Sequence, residues 1–280
     1  MVHEARARRA PASVETVALY IHHLAGRGRG YATIRLALWA IGDAHAARDA
    51  GRPDRADRIQ LLLRGIGRSI GTRSKGASPL GLEDLTRMVG VLHGSVRAVR
   101  DCALLTLGFA GAYRSSDLAA LNVEHLGFGR DGLTVLLPRS KEDQLGRGRT
   151  TLIPASVHSE LCAVRAVQQW LECVPCETGP LFRVIQGSRV LDDRIHPRAV
   201  TRAIQRAARR AEIVGTHYSS HSLRRGFATV GHANGLSLRE IQVHGGWEYM
   251  SSLARYIDVP VRGSRRDVVA RLLSPEVVHP

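Results

Sequence analysis

Lysine, cysteine and long apolar runs are all scarce in this 280-residue chain. Of its 40 basic residues only Lys75 and Lys141 are lysines, so the other 38 are arginines. Four cysteines are too few for a disulfide scaffold in a chain of this length, which indicates reduced thiols. No run of eighteen apolar residues occurs, and residues 1–9 lack the apolar core of a signal peptide. These absences predict a cytoplasmic protein without a membrane partner.

The net charge is the strongest compositional signal. A formal charge of +15 is far from the near-neutral balance of a typical soluble enzyme. Such an excess indicates a polyanionic partner, of which nucleic acid is the most obvious. A ribosome-like protein, or a chain that is rich in arginine for other reasons, would carry the same charge. Charge alone leaves these alternatives open.

The hydrophobic pattern divides the chain into two parts. From 12 to about 70 apolar residues recur at helical spacing, with a break at 26–30 and with Ser13 and Thr33 as predicted N-caps. The polar, glycine-bearing segment 71–78 has no periodicity and is typical of a linker. We therefore predict a small helical domain over 1–74 and a larger domain over 79–280.

The larger domain is predicted to be mainly α-helical with one small β-sheet. Two β-prone runs, 133–137 and 150–153, flank a charged, glycine-bearing loop and are typical of a hairpin. Helical patterns occupy the rest of this part, at about 82–88, 99–110, 155–172, 197–212, 222–233, 237–243 and 250–256. The fold class is therefore mainly α with a small sheet.

A few residues in this domain are spaced so that their side chains could act together. Arg114 is followed three residues later by Asp117, which at helical spacing can orient its guanidinium. His221 and Arg224, also three positions apart, project from one helix face and could hold an anion. Trp247 precedes Tyr256 by nine positions. The order of these residues, together with Lys141 on the predicted hairpin, is unusual enough to be informative.

In that order, these residues resemble the active-site signature of the tyrosine recombinases, also called phage integrases. The resemblance covers nearly the whole chain. It implies a catalytic domain over 79–280, preceded over 1–74 by a helical core-binding domain of SAM-like fold that is shortened by its first helix. It also implies a clamp of both domains around double-stranded DNA, and a homotetramer on paired sites in the bacterial nucleoid. The implied activity is site-specific recombination through a 3′-phosphotyrosyl intermediate, without metal or other cofactor.

The resemblance also implies a role for each residue. Tyr256 is the nucleophile, and Arg114 and Arg224 stabilise the charge on the phosphate, which planar guanidinium groups match well. His221 assists as a base or as a hydrogen-bond donor. Trp247 stands where the family often has histidine, and its indole can donate one hydrogen bond but cannot act as an acid or base. Tyr249 is a competing nucleophile whose spacing does not fit.

Lys141 falls at the hairpin position where the family carries its general acid. A lysine can release a proton to the 5′-oxygen leaving group, whereas an arginine holds its proton too tightly. In a chain with two lysines, this placement favours a chemical role. The alternative is a solvated hairpin lysine.

Several further assignments stay open at this stage. Four arginines at intervals of four, four and three form a predicted basic stripe that either contacts DNA or faces solvent: Arg198, Arg202, Arg206 and Arg209. The apolar tail 267–273 either packs on a neighbouring protomer or forms an intramolecular helix. Cys173 and Cys176, with Cys162 and His158 upstream, are a weak candidate for zinc, and we expect no metal site.

Two other functions remain open from the sequence. The same nucleophile and cations could nick and reseal one strand, as a type IB topoisomerase does. Alternatively, the chain is a catalytically silent or truncated DNA-binding remnant, since it starts late relative to the family. The target site, the direction of the reaction and any accessory factor cannot be predicted from these residues.

Overall fold

A computed structural model describes residues 11–72, 76–138, 148–156, 159–254 and 256–257. The chain separates into two compact units, Met1–Gly76 and Ala77–Pro280. This division falls inside the polar segment predicted as a linker. Lys75, Lys141, His158 and the apolar tail at 267–273 lie outside the described residues.

Over residues 11–72, the first unit consists of three helices around a small apolar core. They are α1 (Val14–Gly26), α2 (Tyr31–Ala46) and α3 (Asp57–Ile70), with a short 3-10 helix at Pro53–Arg55. Ser13 caps α1 as predicted, accepting a hydrogen bond from the backbone N–H of Thr16. The prediction of Thr33 as the second N-cap is wrong. Helix α2 already begins at Tyr31, after the extended Gly30, so Thr33 lies within its first turn.

The second unit is built around the buried helix α5. In chain order its helices are α4 (Leu82–Gly90), α5 (Val96–Ala110), α6 (Ser115–Ala120), α7 (Ala163–Cys173), α8 (Arg198–Arg210), α9 (Ser220–Ala233), α10 (Leu238–Gly245) and α11 (Met250–Ala254). Helices α7, α8 and α9 all pack against α5. Every side chain of α5 from Ala103 to Leu107 is buried, so this helix forms the centre of the apolar core.

Within the described part of this unit, two antiparallel sheets accompany these helices, which corrects the prediction of a single one. The predicted hairpin is present as β2 (Gly132–Leu137) and β3 (Arg149–Ile153), and β1 (Leu126–Gly129) extends it on the other side of β2. The second sheet pairs β4 (Arg183–Gln186) with β5 (Arg189–Arg194). The sequence pattern missed it because β5 is mostly polar and exposed and does not alternate.

Helix boundaries in the second unit differ little from the sequence pattern. The exception is the helix predicted from 155, since α7 begins only at Ala163, after a 3-10 helix at Ser159–Leu161. Over the part of the chain that the structure describes, no helix is both long and apolar enough to cross a membrane. The predicted fold class, mainly α-helical with a minor β-sheet component, is confirmed, with two small sheets in place of one.

A separate apolar cluster lies where α9, α10 and α11 meet. Its buried members are Ala112, Ala228, Ile241, Trp247 and Leu253, and Tyr256 packs against it. Because the cluster joins the loop after α5 to the last described helix, it brings distant parts of the sequence to one place.

Candidate active site

Arg224 is the most buried charged side chain of this region, with 1% of its surface exposed. Its guanidinium donates to the carbonyl oxygens of Ala112 (2.5 Å), Gly245 (2.6 Å) and Gly246 (3.4 Å). A buried cation is costly unless it is hydrogen-bonded, and these carbonyls supply the bonds. Arg224 is thus fixed between the loop after α5 and the end of α10.

Helix α9 presents His221 and Arg224 together. Its N-cap is Ser219, whose hydroxyl accepts a hydrogen bond from the backbone N–H of His221. The helix therefore starts two residues earlier than the sequence pattern predicted. His221 lies exposed in the first turn while Arg224, three residues on, is buried. His221 can thus contact a ligand from the solvent side, while Arg224 lies beneath the surface of the same helix face.

Trp247 covers the guanidinium of Arg224. Helix α10 is capped by the left-handed residue Gly246 (φ 62°), which turns the chain so that the indole folds back over the arginine. The Cζ atom of Arg224 lies 3.7 Å from the ring centroid of Trp247, a cation–π contact. A Cβ at Gly245 would come within 1.8 Å of the indole, so a side chain there would displace it.

The Nε1 atom of Trp247 is buried, and no hydrogen-bond partner for it is found among the described residues. Trp170 offers a contrast, because its Nε1 donates to the Leu181 carbonyl at 2.6 Å. A buried indole N–H normally finds an acceptor. Among the described residues, the indole N–H of Trp247 is thus a donor left without a hydrogen bond.

Tyr256 packs edge-on against two of the predicted site residues. Its ring centroid lies 5.6 Å from that of Trp247 and 6.5 Å from that of His221. Its backbone is also held, since its N–H donates to Leu253 and its carbonyl accepts from the Thr229 hydroxyl at 3.0 Å. Tyr249, the competing tyrosine, is 60% exposed and lies outside this group.

Arg114 follows Ala112 by two residues and is the N-cap of α6. Its backbone N–H donates to the carboxylate of Asp117 at 3.1 Å, and its guanidinium lies 4.0 Å from the same oxygen. Asp117 is 4% exposed. The predicted pairing of these two residues is therefore present, although the carboxylate binds the backbone more closely than the side chain.

The predicted basic stripe on α8 is divided in two by the structure. Arg198, Arg202 and Arg209 are exposed. Arg206 instead donates to the buried carboxylate of Asp101 at 2.6 Å and 3.2 Å, which fastens α8 to α5. Arg206 thus has a structural partner, and the other three arginines remain candidates for DNA contact.

Two residues near the site were missed by the sequence interpretation. Arg149, at the start of β3, donates to the His244 carbonyl at 2.5 Å. The His244 ring donates from Nε2 to the Ala110 carbonyl at 2.7 Å and stacks on Phe227 at 4.8 Å. Burial, reinforced by the charge of Arg149, lowers the pKa of His244, although its bond to Ala110 opposes the shift. Neither residue is among those that the sequence motifs singled out, so residue spacing did not indicate a role for Arg149 or His244.

The site thus brings together His221, Arg224, Trp247 and Tyr256, with Arg114 in the loop that also binds Arg224. The predicted general acid, Lys141, lies outside the described residues. Among the residues that the structure does describe, no three histidine, cysteine, aspartate or glutamate side chains are grouped as a metal site requires.

Comparison with known proteins identifies the family. The model of the phage integrase family matches residues 80–261. This match covers more than half of the chain. The chain belongs to the phage integrase family. The resemblance drawn from the sequence motifs is thereby confirmed.

Curated relatives of this phage integrase family member are recombinases. An integrase/recombinase xerD homolog from Selenomonas ruminantium is 35% identical over 78% of this chain and 65% of its own length. The tyrosine recombinase XerC from Shewanella oneidensis is 26% identical over 65% of this chain and 56% of its own length. The matched regions therefore span less than two thirds of these relatives.

Solved structures of integrases and recombinases share the fold. The Tn1549 transposon integrase in complex with transposon right end DNA superimposes with a TM-score of 0.66 and 13% identity, covering 94% of this chain and 86% of that chain. XerH bound to palindromic difH substrate gives a TM-score of 0.64 at 17% identity, covering 94% and 72%. At these identities the similarity concerns the fold.

Proposed function

We propose that this protein is a site-specific DNA recombinase that cuts and rejoins one strand through Tyr256. The observation that carries the proposal is the grouping of the Tyr256 ring with those of His221 and Trp247, beside the buried Arg224. A tyrosine near cations and hydrogen-bond donors is suited to attack a phosphodiester through its hydroxyl. The recombinase names of the curated relatives support the same activity.

The proposed cleavage step conserves the energy of the broken bond. The Tyr256 Oη atom attacks the phosphorus, a 3′-phosphotyrosyl ester forms, and the bond from phosphorus to the 5′-oxygen breaks. The hydroxyl proton passes to His221 or to solvent, and the 5′-oxygen takes a proton from Lys141. Rejoining reverses these steps on a different 5′-hydroxyl, so the reaction consumes no nucleotide.

Charge stabilisation falls to the two arginines. Attack gathers negative charge on the nonbridging oxygens, and a rigid guanidinium that is already oriented stabilises that charge without reorganising. Arg224 has this property because three carbonyls and the Trp247 ring fix it. The indole N–H of Trp247 supplies one further donor to a phosphate oxygen. Arg114, held at the start of α6 by Asp117, supplies the second guanidinium.

The partner in this proposal is double-stranded DNA, on which two pairs of protomers assemble as a homotetramer in the nucleoid. The net charge of +15 supports a polyanionic partner. The similar structures support DNA in particular, since those of XerH and the Tn1549 integrase are complexes with DNA. We propose the unit Met1–Gly76 as the core-binding domain and the unit Ala77–Pro280 as the catalytic domain.

Covalent capture tests this function and finds the site. The protein is incubated with fragmented host DNA, denatured, and the DNA that stays attached is sequenced. A recombinase yields one enriched sequence, which is then rebuilt as a nicked substrate that traps the covalent adduct. Attachment without sequence preference, with relaxation of supercoils by a monomer, would favour strand resealing of the topoisomerase type. No attachment to any DNA would favour a silent DNA-binding remnant.

A further inference from the structure

The last turn of α10 ends in three consecutive carbonyls that accept hydrogen bonds from two different arginines. Arg224 donates to Gly245 and Gly246, while Arg149 donates to His244. The last carbonyls of a helix have no partner within it and carry the negative end of the helix dipole. Two guanidinium groups from distant parts of the chain therefore share one helix terminus.

Arg149 also contacts the other segment that holds Arg224. Its Cζ atom lies 5.3 Å from the centroid of the Tyr113 ring, which is fully buried. Tyr113 directly follows Ala112, whose carbonyl accepts from Arg224 at 2.5 Å. One half-buried arginine on β3 thus contacts both of the backbone segments that fix Arg224.

The backbone leaves room for this arrangement. Gly246 has a φ of +62°, and a Cβ there would lie 2.9 Å from the Cδ and Nη1 atoms of Arg149. Arg149 therefore passes directly over the residue that turns the chain from α10 towards Trp247. Movement of Arg149 would shift the carbonyls of Gly245 and Gly246, and a shift of these acceptors would move Arg224.

We propose that Arg149 is a positioning residue for Arg224, an inference that rests on the proposed strand cleavage. Arg149 holds the end of α10 against the loop after α5, so that the three acceptors of Arg224 keep one geometry. It acts through backbone carbonyls and touches no reacting atom in this arrangement. Its removal leaves Arg224 in place but less well fixed, which lowers the rate of cleavage more than the affinity for DNA.

The test compares Arg149→Met with a matched control. Arg87 also donates to the carbonyl that ends a helix, that of Ala211 after α8, at 2.9 Å. Arg87→Met thus removes the same kind of bond outside the site. At saturating nicked DNA, we expect Arg149→Met to form the covalent adduct about 10- to 100-fold more slowly than wild type, because small misplacements of catalytic groups reduce rates by this order. Arg87→Met should stay within about twofold of the wild-type rate.

Two further measurements separate positioning from general damage. Arg149→Lys keeps the charge but donates from a single ammonium, so its rate should fall between those of Arg149→Met and wild type. If Arg149→Met does not fold, Arg149→Lys is used as the test in its place. A substrate with a methyl group in place of one nonbridging oxygen has a neutral phosphate and needs less charge stabilisation. On that substrate the difference between Arg149→Met and wild type should close, as it should for Arg224→Ala.

The outcomes distinguish the positioning role of Arg149 from the proposed recombinase activity on which it rests. If wild-type protein forms no adduct at all, the proposed recombinase activity is wrong. If wild type reacts and Arg149→Met reacts equally fast, the positioning role is wrong while the recombinase proposal stands. A slow Arg149→Met whose defect is unchanged on the neutral substrate would also overturn the role, because Arg149 would then act on something other than Arg224.

Discussion

The ring centroid of Trp247 lies 3.7 Å from the guanidinium carbon of Arg224. The same indole contacts the Tyr256 ring at 5.6 Å. Trp247 therefore joins the proposed nucleophile to the proposed charge stabiliser, and its buried N–H has no acceptor among the described residues. Its two functions, covering Arg224 and donating a hydrogen bond, can be separated by substitution.

Trp247→Phe keeps an aromatic face over Arg224 and removes the N–H. Because a hydrogen bond to a charged group contributes about 1.5–3 kcal/mol, we expect cleavage at saturating DNA to slow by roughly 10- to 100-fold. Trp247→His restores a ring donor and should recover part of that rate. Trp170→Phe is the control, since it removes a buried indole bond outside the site. Equal rates for Trp247→Phe and wild type would show that no phosphate oxygen uses this donor.

Thr229 should matter because its hydroxyl holds the carbonyl of Tyr256. Thr229→Val keeps the shape of the side chain and removes that bond, so we expect adduct formation to slow by about 10-fold, and Thr229→Ser to be close to wild type. Thr106→Val removes a comparable bond within α5 and provides the control. A Thr229→Val protein that cleaves at the wild-type rate would mean that the tyrosine is placed without this hydrogen bond.

Much of this architecture could be predicted from the sequence, because helical periodicity and motif order are local signals. The periodicity of α8 and α9 gave their positions, and spacing singled out His221 and Arg224. Arg149 could not be found in this way, since its contacts with Tyr113 and His244 depend on how β3 packs and leave no periodic trace. The pairing of Arg206 with Asp101 was missed for the same reason.

The exposed arginines of α8 and Arg206, which pairs with Asp101, should behave differently. Removing one arginine that binds a phosphate lowers the dependence of log affinity on log salt by about 0.9. If they bind DNA, Arg198→Ala, Arg202→Ala and Arg209→Ala should each reduce the slope by up to that amount with little change in stability. Arg206→Ala leaves Asp101 with fewer partners and should destabilise the fold by about 1–3 kcal/mol in urea unfolding.

The salt titration has a clear negative outcome. If the three exposed variants keep the wild-type slope, the α8 stripe faces solvent and DNA is bound elsewhere. If Arg206→Ala changes the slope and leaves the urea midpoint unchanged, its pairing with Asp101 is not the role that matters.

Lys141 is proposed to protonate the departing 5′-oxygen, a role that guanidinium cannot fill at working pH. Lys141→Arg and Lys141→Ala should therefore both fail on ordinary DNA. On a substrate whose bridging 5′-oxygen is replaced by sulfur, the thiolate leaves without a proton, so both variants should recover cleavage. Arg114→Ala and Arg224→Ala should stay impaired on the same substrate. If sulfur restores nothing to the Lys141 variants, the general acid is another group.

The identity of the residue that becomes joined to DNA is the sharpest test of Tyr256 as the nucleophile. After trapping on a nicked substrate and digestion of the DNA, trypsin cleavage after Arg255 separates Tyr249 from Tyr256, and fragmentation of the modified peptide locates the attached nucleotide. We predict that it is found on Tyr256, that Tyr256→Phe binds DNA with unchanged affinity but forms no adduct, and that Tyr249→Phe reacts normally. An adduct on Tyr249, or one formed by Tyr256→Phe, would show that the nucleophile is a different residue.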